Sequence, residues 1–216
     1  MKMTLDNEPK RIAIYQEESN ILRIQSAKQQ TLLSKGLPLE WGIVGHVFED
    51  EYIDIFRDAV CFPDGKDGTY IRIVHKHPEK KGVAIIPFFG EKIVLIRHFR
   101  HATQKSHWEI PRGFGCSLDS EETVATEIRE EIGGSITHME ALGSIYPDSG
   151  LLSDEVLLYK VTLESYGESE HHEPISGISL FSKEEIARII LNNEISDSFT
   201  LAAFLKILLK ESVFAL

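Results

Sequence analysis

With 216 residues, 42% apolar and 26% charged, the chain has the balance of a globular protein and the length of one domain with an added segment, or of two small domains. Its 34 acids outnumber its 23 bases, for a net charge of −11, which argues against a binder of the nucleic-acid backbone, whose surface would be basic. No apolar run reaches the roughly 18–20 residues that cross a bilayer, and the opening segment carries acids and no apolar core, so neither a membrane span nor a secretory signal is expected. Cys61 and Cys116 stand far apart in no metal-like spacing, as in a reducing compartment. The expected location is the cytoplasm, with no nucleic-acid and no membrane partner.

Residues 1–40 are polar and mixed, with helix-forming stretches over 17–33, and read as an N-terminal extension that is helical or partly ordered. From Trp41 the texture changes. Residues 43–55 and 70–75 are rich in β-branched and aromatic side chains, and Pro63, Gly65 and Gly68 mark a turn between them, so residues 41–79 read as a subdomain of antiparallel strands. The main domain is expected over 80–216. It opens with a buried strand over 82–89, a turn at Gly90-Glu91 and a second strand over 92–97, which together make a hairpin. Residues 98–119 read as a long connection. Three signals then agree on a helix: Asp119 or Ser120 as cap with Glu122 following, a stop at Gly133-Gly134, and Val124, Ile128 and Ile132 recurring every fourth residue as a buried stripe. Strands follow over 139–146, 155–163 and 175–181. Helices are expected from Ser182 to about 192 and from Asp197 or Ser198 to about 211. Mixed strands with helices in the middle and at the end give an α+β sandwich.

On the 120–132 helix, Glu127, Glu130 and Glu131 fall within about one third of the circumference, beside the apolar stripe. Like charges at this spacing repel by roughly 0.2–0.5 kcal/mol per pair, and a hard cation such as Mg²⁺ or Mn²⁺ would remove that repulsion. A solvated acidic face fits the helix equally well. The preceding Pro111-Arg112-Gly113-Phe114-Gly115 is a glycine-punctuated turn of the kind that lets backbone approach a metal or a phosphate. Turn, helix and carboxylates together make a site for metal plus pyrophosphate.

Here the sequence resembles the Nudix hydrolases, whose box is G-x5-E-x7-R-E-U-x-E-E-x-G-U. The end of the box is matched by Glu127-Ile128-Arg129-Glu130-Glu131-Ile132-Gly133. Around it the chain is similar to the ADP-ribose pyrophosphatase branch: Arg97-x-x-Arg100 runs into Trp108-Glu109-Ile110-Pro111-Arg112-Gly113. Pro147, Gly150 and Glu155 mark a later segment, and Ile195-x-Asp197-x-x-Thr200-x-x-Ala203 a tail motif. The box departs from the pattern in three places. Thr126 stands where it has arginine, the stretch from Gly113 to Glu127 is one residue short, and Gly134 replaces the last apolar position. The missing arginine, understood in the family to orient the glutamates, points to slower or lost catalysis.

The resemblance implies a Nudix α/β/α sandwich with a mixed sheet, preceded by N-terminal antiparallel strands that often help build a homodimer. It implies hydrolysis of a small nucleotide-sugar substrate, with Mg²⁺ or Mn²⁺ held by Glu127, Glu131 and the Arg112 carbonyl, assisted by Glu130. Arg97 and Arg100 would meet phosphate oxygens and Arg112 would contact the substrate; ordinary edge-strand charge is the alternative for Arg97 and Arg100. Glu109 would meet substrate or a second metal, or else be a loop acid bonded to backbone amides. Trp108 reads as core rather than a base-stacking platform. The water-activating base is expected in the loop before the strand over 175–181, with Glu173 first, then Glu170 and Glu168; Glu155 competes, and a solvated loop is the alternative. Zinc at His98, His101 and His107 matches no familiar spacing, and Cys116 as nucleophile has no motif. A Nudix-fold module that senses a nucleotide sugar with little turnover is the second functional class.

Overall fold

The computed structural model describes residues 11–169 and 174–214. They fall into two units, one formed by the described residues up to His77 with Asp148–Ser153, the other by those of Pro78–Pro147 and Asp154–Leu216.

The first unit holds β1 (Ala13–Ile14), α1 (Glu18–Ser34), a 3₁₀ turn at Leu39–Gly42, β2 (Gly45–Glu49), β3 (Ile53–Cys61) and β4 (Asp67–His75). β3 is the centre of an antiparallel sheet. β4 pairs along its whole length, from Ile53 with His75 to Cys61 with Asp67, and β1 and β2 pair with opposite ends of it. The sequence reading ran one strand through 43–55; the structure breaks it. Asp50 explains the break, because its Oδ1 accepts from the N–H groups of Tyr52 and Ile53 at 2.8 Å each, closing a turn that a strand cannot contain. β1 lies in a stretch read only as extension, whereas α1 matches the expected helix to within a residue at each end. Asp67 ties α1 and β1 down by accepting from Arg23 at 2.5 Å and from the Tyr15 hydroxyl at 2.8 Å.

The second unit runs β5 (Gly82–Phe89), β6 (Lys92–Arg100), β7 (Lys105–Glu109), β8 (Arg112–Gly113), α2 (Ser120–Ile132), β9 (Ser135–Ile145), β10 (Val156–Ser165), β11 (Ile175–Phe181), α3 (Lys183–Leu191) and α4 (Ser198–Phe214). Its sheet is ordered β11-β6-β5-β10-β9, with β7 on β6 and β8 on β5. β5 and β10 are parallel and the other pairs antiparallel, so the sheet is mixed. β7 and β8 occupy what the sequence presented as a connection.

Period-2 alternation sorts the central strands into two cores. Val83, Ile85, Val94 and Ile96 face α2, where Val124, Ile128 and Ile132 are fully buried as the predicted stripe. Each such side chain contributes roughly 1.5–3 kcal/mol relative to exposure. Ala84, Ile86, Phe88, Ile93 and Leu95 face the other way, onto Ile186 of α3 and Phe199, Ala203, Phe204 and Ile207 of α4. Helices thus cover both faces of the sheet. Among the described residues, no helix is long and apolar enough to cross a membrane.

Candidate functional site

The site grows from the start of α2 and from the short strand before it. Asp119 caps α2, its carboxylate accepting from the Glu121 N–H at 2.9 Å. The helix ends at Gly133, whose φ of 56° favours glycine, and the Gly134 N–H turns back to the Ile128 carbonyl at 3.1 Å. Thirteen residues therefore hold Glu127 and Glu131 one turn apart on a helix fixed at both ends and along its apolar stripe.

The segment Ile110–Gly113 is fixed as firmly. β8 pairs Arg112 with Ala84 and Gly113 with Val83, and the Pro111 carbonyl accepts from the Ile85 N–H at 2.9 Å. Both glutamates converge on this segment. Glu131, 3% exposed, accepts the Arg112 N–H on Oε2 at 3.0 Å. The Glu127 carboxylate lies where a Cβ on Gly113 would sit, so only glycine permits its approach to the backbone. Two carboxylates against one dipeptide form a cradle of hard oxygen donors of the kind that suits Mg²⁺ or Mn²⁺. Glu130 turns outward and pairs with Arg129 at 3.2 Å.

Behind the cradle lies a buried ionic cluster. Glu109, at the end of β7, has no exposed surface. Arg100 donates to its Oε1, the Arg112 guanidinium stands 3.5 Å from its Oε2, and His98 Nδ1 is 3.5 Å from Oε1 and 4.0 Å from Oε1 of Glu131. Burial raises the Glu109 pKa against the opposing pull of Arg100 and Arg112. Burial, with the same two cations, pushes His98 down to about 4, so its imidazole is neutral at pH 7. Arg112 also lies over the Phe199 ring at 4.5 Å and 3.4 Å from Asp197. Glu109 is therefore held by guanidinium groups rather than backbone amides. Arg100 keeps 27% and Arg112 23% of the side chain exposed.

Arg97 and Arg100 point to opposite faces of β6. Arg100 shares the α2 face with Ile96 and His98, while Arg97 sits 5.5 Å from the Trp108 ring, which packs edge-on to Phe181. Trp108 lies against the core of the α4 face. Glu155 accepts from Ser144 at 2.6 Å and lies 3.4 Å from Lys81, contacts that hold its pKa low, Ser144 most. Glu170 and Glu173 lie outside the described residues. Glu168 is described, and the loop it opens starts against the end of α2, where the Gly167 N–H donates to the Ile132 carbonyl at 2.8 Å. His101 and His107 bond to Gln104 and Thr103, and Cys116 Sγ is 3.5 Å from Thr123 Oγ1. Among the described residues, three side-chain metal-ligand types converge at His46, Glu49 and Asp54, where the Lys76 ammonium already bridges the two acids at 2.9 and 2.7 Å.

Sequence reasoning weighed His98 only as a zinc ligand and missed its place in this cluster, along with the parts played by Asp197 and Thr200. Asp197 Oδ2 accepts from the Thr200 N–H at 2.9 Å and from its hydroxyl at 2.7 Å, and Thr200 Oγ1 accepts from the Ile110 N–H at 3.0 Å. The tail motif was the available signal.

No family model matches the chain. It is 25% identical to an ADP-ribose pyrophosphatase of Bacillus subtilis over 172 residues, 77% of this chain and 91% of the relative. It is 28% identical to an ADP-ribose pyrophosphatase of Mycobacterium tuberculosis, over 70% and 74% of the two chains. A methanol dehydrogenase activator of Bacillus methanolicus is 29% identical over 77% and 91%. A solved structure titled as an ADP compounds hydrolase superposes with a TM-score of 0.67 at 14% identity, covering 78% of this chain and 91% of that one, and so shares the fold. The chain is thus similar to ADP-ribose pyrophosphatases and shares the fold of an ADP compounds hydrolase, which supports its resemblance to the Nudix hydrolases. In the Nudix pattern that the sequence resembles, α2 carries the glutamates and Ile110–Gly113 precedes it. Thr126 stands half-buried at the arginine position, and Arg129, the arginine that α2 does carry, pairs with Glu130.

Proposed function

We propose that the chain hydrolyses the pyrophosphate bond of ADP-ribose or a related nucleoside diphosphate sugar, giving a nucleoside monophosphate and a sugar phosphate, in a divalent-metal-dependent reaction. The observation that carries this reading is the convergence of Glu127 and Glu131 on the Arg112–Gly113 backbone. Two relatives named as ADP-ribose pyrophosphatases, similar over most of their length, support the substrate class. Glu127, Glu131 and the Arg112 carbonyl would hold Mg²⁺ or Mn²⁺, which when bound neutralises phosphate charge and lowers the pKa of a coordinated water. Arg100 and Arg112, each partly exposed and held by Glu109, would take phosphate oxygens. Arg97 would contact substrate from the other face of β6. Removal of the water's proton falls to the loop after β10, with Glu173 as first choice, then Glu170, and Glu155 as competitor. Cytoplasmic location and a homodimer joined through the N-terminal strands belong to the same proposal; exposed Ile14, Trp41 and Phe48 in that unit supply apolar surface for a dimer.

The test is a panel of nucleoside diphosphate sugars and dinucleotides with Mg²⁺ or Mn²⁺, with products identified by mass. AMP and a sugar phosphate from ADP-ribose, abolished by chelation, is the expected result. Binding without turnover across the panel would sink it and leave a second reading, a module that senses a nucleotide sugar. Thr126 in place of the box arginine, and a relative whose name is that of an activator, favour that alternative.

A further inference from the structure

The tail motif Ile195-x-Asp197-x-x-Thr200 is absorbed by none of the roles above, yet Thr200 reaches the backbone that leads into the cradle and Asp197 reaches the Arg112 side chain. Asp197 uses its carboxylate in two directions. Oδ2 takes the Thr200 N–H and hydroxyl, closing the first turn of α4, while Oδ1 stands 3.4 Å from the Arg112 guanidinium. Thr200, 1% exposed, gives its hydroxyl proton to Asp197 and accepts the buried Ile110 N–H at 3.0 Å. The threonine hydroxyl is thus both donor and acceptor, and its orientation is set by the carboxylate. Ile110 opens the four-residue segment whose other end carries the Arg112 N–H bonded to Glu131 and the bare Gly113 backbone beside Glu127.

We propose that Asp197 and Thr200 are positioning residues: they clamp Ile110 and Arg112 to the start of α4 and so set the distance between the Ile110–Gly113 backbone and the two glutamates of α2. The clamp acts from the opposite face of the sheet to α2. The cradle is therefore gripped from both sides, by α2 through its carboxylates and by α4 through a hydroxyl and a carboxylate. The box arginine position is Thr126 in this chain, so α2 lacks one orienting contact of its own and the grip from α4 matters correspondingly more. This inference rests on the proposed metal-dependent hydrolysis, but its first readouts do not need turnover.

The experiment uses the full chain and the variants Thr200→Val, Thr200→Ser and Asp197→Asn. Mn²⁺ affinity is measured by titration of the metal alone, Ile110 amide protection by hydrogen exchange, and kcat and KM on ADP-ribose. Thr200→Val should free the Ile110 amide to exchange, weaken Mn²⁺ binding about 10–100-fold and lower kcat to match, with KM changed less than about threefold. Thr200→Ser, which keeps the hydroxyl, should restore all three. Asp197→Asn keeps a capping oxygen and removes the charge facing Arg112, so its melting temperature should hold while Mn²⁺ affinity falls. A Thr200→Val chain that melts earlier but binds Mn²⁺ and turns over like the parent overturns the proposal, since the motif would then only cap a helix. If Thr200→Val does not fold, unchanged Mn²⁺ affinity in Asp197→Asn overturns it. A parent chain that binds Mn²⁺ without hydrolysing ADP-ribose refutes the proposed activity and leaves the clamp to be judged on affinity and exchange. A parent that neither binds Mn²⁺ nor hydrolyses refutes both.

Discussion

Replacing Gly113 by alanine perturbs the cradle with one carbon. A Cβ there would overlap the Glu127 carboxylate; even the farthest of its three atoms, Oε2, would lie at 2.5 Å, where ordinary contact begins at 3.4 Å. What must yield is the far end of a flexible side chain, not backbone, so the structural cost is one off-rotamer glutamate, about 0.5–1.5 kcal/mol. For a domain of this size that lowers the melting temperature by roughly 1–6 °C, taking about 2–4 °C per kcal/mol. Function should suffer far more. Mg²⁺ tolerates little departure from octahedral oxygens at about 2.0–2.1 Å, and an error approaching 1 Å in a reacting geometry costs on the order of 10²-fold in rate. Gly133→Ala provides the contrast. There φ is +56° and the new Cβ would meet the Glu168 carbonyl at 2.5 Å, a backbone atom that cannot turn aside. The left-handed strain alone costs about 1–2 kcal/mol, so this variant should lose more stability than Gly113→Ala. Thermal melts, Mn²⁺ titration and ADP-ribose turnover on both proteins make the comparison. The reasoning fails if Gly113→Ala keeps full Mn²⁺ affinity and turnover, for then the Glu127 carboxylate has no part in the cradle.

Glu131→Gln should fold, because an amide oxygen still accepts the Arg112 N–H, yet lose about 10²-fold or more in kcat; parental rates would make α2 a merely acidic surface. In the N-terminal unit, Arg23 and then Tyr15 hold the Asp67 carboxyl below its ordinary 3.8. The unfolded chain therefore binds that proton first, and the stabilisation is complete above about pH 4 and lost as pH falls through the lowered folded-state value. Asp67→Asn should flatten the acid limb of the melting temperature below that pH, and an unchanged limb would assign it to other groups. On the alkaline side Tyr15, pushed up to about 12 chiefly by Asp67, should be the late tyrosine in an ultraviolet titration.

How much of this was legible in the sequence depended on whether the deciding contacts are local. α2 was readable to the residue because Asp119, the Val124-Ile128-Ile132 stripe and Gly133 all act within one helix. β5 and the start of β6 announced themselves as apolar runs with a two-residue turn. β7 and β8 did not, because strands of five and two residues are created by the neighbours they pair with, β6 and β5. The carboxylate pair of the cradle was visible from helical spacing. The Arg100–Glu109–Arg112–Asp197 cluster was not, since its last member comes from the start of α4 and joins only when the sheet has closed. Nor could spacing alone show that Arg97 and Arg100 part to opposite faces, which follows once β6 continues as a regular strand through Arg100.

The parallel pairing of β5 with β10 has a consequence for the chain during its synthesis. Residues from Gly82 to Phe88 find their parallel partners only at Val156 to Thr162, after β6, α2 and β9 have all been made. Until then one border of a strand composed almost wholly of core side chains presents unpaired amides and carbonyls beside apolar surface, the combination that recruits other strands. A nascent chain halted after α2 is an aggregation-prone species, and release from that state comes with the arrival of β10.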